Sequence, residues 1–71
     1  MRLIDLVAAS FAAEKAYTAE VERVFGADAC QARYLPRGKG EPGSELRRLH
    51  DARAAARNTE SAAWAAQIKA A

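Results

Sequence analysis

The stretch Tyr34-Leu35-Pro36-Arg37-Gly38-Lys39-Gly40-Glu41-Pro42-Gly43 holds both prolines and three of the four glycines of the chain. Proline fixes φ and removes an amide donor, and glycine inside a helix costs about 1 kcal/mol relative to alanine, so no helix runs through this segment. Both flanks read as helix. The expected fold is therefore all-α: an antiparallel two-helix hairpin with helices over about 3–25 and about 45–70. The Pro/Gly-rich connection over 26–43 joins them, and 1–71 forms one domain.

Working outward on the N-terminal side, Leu3, Val7, Phe11, Tyr17, Val21 and Val24 recur at helical spacing, with Leu6 and Phe25 flanking them. They predict one apolar stripe, with Ser10, Glu14 and Thr18 inside its arc. The opposite side carries only alanines, Ala8, Ala9, Ala12, Ala13, Ala16 and Ala19. Gly26 is placed to end the helix. Asp28 is a candidate N-cap for a short turn over 29–32, and Tyr34 and Leu35 are expected to fold back on the end of the hairpin. An eighteen-residue connection is longer than antiparallel helices need, which points to local structure or function within it.

On the C-terminal side Ser44 follows Pro42-Gly43 and is the expected N-cap, with Glu45 well placed against the helix dipole. The inward stripe reads Leu46, Leu49, His50, Arg53, Arg57, Glu60, Trp64, Ile68, apolar at both ends and charged between. If the connection brings Phe25 beside Leu46, antiparallel pairing sets Leu3 against Ile68 and Val7 against Trp64. It sets Glu14 against Arg57, Tyr17 near Arg53, and Val21 against Leu49 and His50. The expected seam thus contains Glu14, Arg57, Arg53 and Trp64, and an ionic pair at its centre fixes register and orientation.

Nineteen alanines favour helix but bury little area, so a lone hairpin of this length is marginal. A homodimer forming a four-helix assembly, through the alanine face or the Trp64/Ile68 end, is the expected remedy.

Several function classes are disfavoured. The single cysteine, Cys30, reads as a small semi-buried thiol without an internal disulfide, and no Cys/His spacing implies zinc or another cofactor. A cytoplasmic location fits this. The apolar start over 1–9 is interrupted by Asp5 and continues the helical period, so it reads as helix rather than leader. No apolar run approaches the ~20 residues of a membrane span. Glu14, His50 and Glu60 are candidates for an acid–base centre, but no nucleophile accompanies them and arginine outnumbers acid along the seam, so no enzyme is expected.

Net charge is +2, but cations concentrate in the connection and the second helix: Arg33, Arg37, Lys39, Arg47, Arg48, Arg53 and Arg57. Arg37-Gly38-Lys39-Gly40 lacks the preceding strand and the Gly-Lys-Ser/Thr of a P-loop. A small basic DNA-binding or anion-binding regulatory protein is the alternative reading. Protein binding is favoured, because Tyr and Arg are the residues of interface hot spots. The expected partner-binding residues are Arg33, Tyr34, Leu35, Arg37, Lys39 and Arg48.

The run Ala32-Arg33-Tyr34-Leu35-Pro36-Arg37-Gly38, leading into Pro42-Gly43-Ser44-Glu45-Leu46-Arg47, resembles small accessory proteins of temperate phages of GC-rich bacteria. These include dimeric helical-hairpin anti-activators of quorum-sensing transcription factors. The resemblance is architectural and spans the chain without a diagnostic motif. It implies a stoichiometric inhibitor or modulator of a host protein such as a transcriptional activator.

Overall fold

Gly26 stops the first helix because it adopts φ 56°, a region open to glycine, while its amide still donates to the Glu22 carbonyl. The computed structural model describes residues 2–70, and among them no residue is in a strand. Helix α1 spans Leu3–Phe25. A 3-10 turn, Gly26–Asp28, leads into the one-turn helix α2, Ala29–Ala32, and a second 3-10 turn covers Pro36–Lys39. Helix α3 spans Glu45–Ala70. None of these helices is long and apolar enough to cross a membrane.

The N-terminus of α3 follows from its sequence: the Ser44 hydroxyl accepts from the Arg47 amide at 3.1 Å, and the Ser44 carbonyl accepts from the Arg48 amide at 3.0 Å. Asp28 behaves otherwise. Its side chain makes no capping bond, because a 3-10 turn already runs into α2 and leaves no separate helix start to cap. Leu35 is extended, as the residue before Pro36 must be, and Pro36 opens its turn from the first position.

The two long helices pack on each other. Tyr17 meets the His50 ring edge-on with centroids 5.9 Å apart, and Glu14 meets Arg53. Partners on α3 thus rise in number as those on α1 fall. The expected Glu14–Arg57 register is therefore displaced by one helical turn. The reason lies in the connection: α2 packs Ala29 into the same cluster as Tyr17, Val21 and Leu46, with Phe25 and Leu49 against it. This third element occupies the space beside Val21, so α3 begins deeper along α1 than a direct Phe25–Leu46 start allows.

The buried face of α1 is also rotated from the expected stripe. Ser10, Tyr17, Glu20 and Val21 are buried, while Phe11 and Val24 are exposed. Cys30, expected half-buried, is exposed, since Ala29 and Ala32 take the inward positions of α2. The apolar core lies wholly at the connected end. Beyond Tyr17 toward the free ends, Ser10 is the only buried residue among those whose burial is described.

Candidate interaction site

The connection is held by its backbone. Tyr17, almost fully buried, donates its hydroxyl to the Gly38 carbonyl at 2.7 Å. Gly38 is itself buried, and a Cβ there would lie 2.2 Å from the Ala32 carbonyl oxygen, so only glycine fits. One turn further, Arg47 donates from Nη1 to the Gly40 carbonyl at 3.1 Å, tying the connection to the first turn of α3. The Gly38 and Gly40 amides donate to the Leu35 and Arg37 carbonyls. Those two amides are therefore occupied within the turn rather than open to an anion.

A carboxylate fastens the other side. Glu14 accepts from Arg53 of α3 through one oxygen and from Arg33, just past α2, through the other. Burial opposes its ionisation, but the hydrogen bonds and charges of Arg53 and Arg33 outweigh this and hold its carboxyl below the ordinary glutamate range. Both guanidiniums also lie over the Tyr17 ring, at 5.8 Å for Arg33 and 5.1 Å for Arg53. One aromatic side chain thus gathers α1, α2, α3 and the connection.

Outside this clasp stand the residues expected to bind a partner. Tyr34 is 81% exposed, with Arg33 stacked 5.6 Å from its ring, and Leu35 is half exposed. Neither folds back on the helices as expected: the Gly38–Ala32 contact carries the connection past the helix ends and leaves both side chains outside. Arg37 is exposed with its guanidinium 5.6 Å from the Phe25 ring, and Lys39 is exposed. Arg48 is exposed but paired with Glu45. Arg33 faces inward to Glu14, so it positions Tyr34 rather than standing free. Beside them Val24, Phe25, Pro36, Pro42 and Leu46 line an apolar groove of about 700 Å³ with Arg37 at its edge.

The other seam residues separate. Arg57 is exposed, and Trp64 lies at the surface with its indole N–H donating to Glu60 at 3.3 Å. His50 Nδ1 is 3.1 Å from Asp51. Glu14 and Glu60 line one shallow depression with Arg57, but each is hydrogen-bonded to a different neighbour, and His50 is not among the residues lining it. Among the described residues no group of three His, Cys, Asp or Glu is placed to hold a metal.

The Tyr17 hydroxyl, Gly38 and the Arg47–Gly40 bond are the site residues that sequence reasoning missed. Their one visible signal is the closely spaced glycines of Arg37-Gly38-Lys39-Gly40, which mark close backbone approach as well as flexibility. Compared with models of known families, with curated proteins and with solved structures, the chain matches none.

Proposed function

We propose that the chain is a non-catalytic protein-binding module, a two-helix hairpin that works as a cytoplasmic homodimer and presents its connection to another protein. The observation that carries this reading is the clasp itself. A long connection is fixed at Gly38 and Gly40 by a buried tyrosine and an arginine, while Tyr34 and Leu35 are held outward beside an apolar groove. Ordering a loop before binding removes an entropic penalty from association, and an exposed aromatic on the same connection as Arg37 and Lys39, neither of which lies within 4.0 Å of a carboxylate among the described residues, suits an interface anchor. Its action is stoichiometric: occupying a partner's surface. In keeping with the architectural resemblance to phage anti-activators, we propose as that partner a host regulatory protein such as a transcriptional activator.

The charge distribution argues against a nucleic-acid partner. Arg2, Arg23, Arg33, Arg47, Arg48 and Arg53 each lie within 4.0 Å of an intrachain carboxylate. Phosphate binding draws on cations that release counterions, and here most guanidiniums already have an anion.

The test is retention of a partner on the immobilised chain at a defined stoichiometry. Tyr34→Ala or Arg37→Glu should abolish retention with the circular dichroism spectrum unchanged. Duplex DNA binding that is tight and falls steeply between two salt concentrations would overturn the reading.

A further inference from the structure

We propose that one side of the free end, carrying Ile4, Val7 and Phe11 of α1 and Trp64 and Ile68 of α3, is the surface on which a second copy of this chain docks. This names the surface for the pairing proposed above and rests on it, but not on what the connection binds.

Three observations lead there. The first is position. Val7, Phe11 and Arg57 line one shallow depression of about 360 Å³ between the helices, which puts the Phe11 side of α1 and the Arg57 side of α3 on a common face. Ile4 lies seven residues before Phe11, Trp64 seven beyond Arg57, and Ile68 four beyond Trp64, so helical periodicity carries both stripes along that face toward the free ends.

The second is exposure. Ile4 is 67%, Phe11 77%, Trp64 46% and Ile68 73% exposed. At ~150–250 Å² for a buried aromatic side chain, and somewhat less for isoleucine, these four present roughly 500 Å² per copy. Two copies face to face then bury about 1,000 Å² before flanking methyl groups are counted, close to the ~1,200 Å² at which specific interfaces begin. The alanine face offers no side chain of comparable size. The intrachain core of buried apolar residues ends near Tyr17, and among the described residues the free halves of both helices add only partly buried side chains such as Leu3, Leu6 and Val7.

The third is charge. A two-fold interface sets a patch against itself, so it must be self-complementary. Beside the apolar stripe the depression is lined by Arg57 and by two carboxylates, Glu60 and Glu14, of which Glu14 is already held by Arg33 and Arg53, leaving Arg57 and Glu60 to face their counterparts. Arg57 has no carboxylate partner within 4.0 Å among the described residues, so it is available to a partner copy.

Sedimentation equilibrium from low micromolar to submillimolar concentration tests this, with the emission of the single tryptophan as an independent reading of the face. The wild-type chain should be dimeric, with Trp64 emission shifting to the red on dilution. Phe11→Glu and Ile68→Glu should each raise the dimer dissociation constant about tenfold or more, while helix content is kept and partner retention by the connection survives in the monomer. Ala16→Glu, on the alanine face, should leave the dimer unchanged. A dimer lost in Ala16→Glu but kept in Phe11→Glu would refute this face and leave the pairing intact. A wild-type chain that remains monomeric throughout, including one whose Trp64 emission responds only to phospholipid vesicles, would refute both.

Discussion

Replacing Tyr17 with phenylalanine isolates the clasp, because it removes one oxygen and keeps the ring. The ring contacts with Arg33, Arg53 and His50 survive the change. What disappears is the bond to the Gly38 carbonyl, and since Tyr17 and Gly38 are both buried, water has no ready route to replace it. Leaving a buried carbonyl without its donor costs about 1–3 kcal/mol. In a domain of this length each kcal/mol moves the melting temperature by roughly 4–8 °C, so a fall of about 10 °C is expected at fixed protein concentration. Thermal unfolding followed by circular dichroism measures it. A second assay reads the connection directly. Trypsin cleaves after Arg37 and Lys39, which flank Gly38 on either side, and cleavage there should accelerate in Tyr17→Phe well before global unfolding. A melting temperature within about 1 °C of wild type, together with unchanged cleavage at these two bonds, would refute the claim that the hydroxyl holds the connection in place.

Glu14→Gln should destabilise the chain by about 1–2 kcal/mol in urea unfolding, because two half-buried guanidiniums lose their shared counter-charge, whereas exposed Arg57→Ala should stay within about 0.5 kcal/mol. Gly38→Ala should cost more than about 2 kcal/mol, since its Cβ would meet the Ala32 carbonyl oxygen; Gly43→Ala, at φ +87° with nothing nearby, should cost about 1 kcal/mol from backbone conformation alone. Glu14, Glu20 and Glu45 all titrate below the ordinary value of 4.5 in the folded chain. The unfolded state then binds more protons than the folded one as pH drops, so their contribution is present above about pH 4.5 and is lost as pH falls through the lowered values. Urea midpoints at neutral and acid pH should show that loss, and the loss should be smaller in Glu14→Gln.

The ends of the long helices were legible because their signals are chemical and local. Gly26 alone can take the conformation that stops α1, and the Ser44 hydroxyl caps α3 whatever lies elsewhere. The face of α1 was less legible. Counting large apolar residues pulls the stripe toward Phe11 and Val24, which are exposed, yet Glu20, outside that stripe, occupies a buried position. Glu20 is tolerated there because Arg23 meets it with two hydrogen bonds, at 2.7 and 2.6 Å. The outward Tyr34 and Leu35 were misread for a related reason: their apolar character argues for burial, while their positions follow from the Gly38–Ala32 contact made entirely through backbone atoms.

The register was hidden for a deeper reason. Arg53 and Arg57 are one helical turn apart on the same stripe, so sliding α3 by a turn preserves the apolar pattern and still offers Glu14 a guanidinium. Periodicity has no means of choosing between them. The choice is made by the connection, where Ala29 fills the space beside Tyr17 and Val21, and the Gly38 and Gly40 carbonyls tie the segment to α1 and to Arg47. Moving Arg57 into the place of Arg53 would carry Arg47 a full turn, about 5 Å, away from the Gly40 carbonyl. It would also separate Leu46 from the cluster it shares with Tyr17 and Val21. Helix register and connection geometry are therefore one structural variable, with Glu14 reading both ends of it through Arg33 and Arg53. Under the proposed function, a partner that gripped Tyr34 and drew the connection away would have to break the Glu14–Arg33 and Tyr17–Gly38 contacts together, so binding to the connection as it stands is expected rather than remodelling.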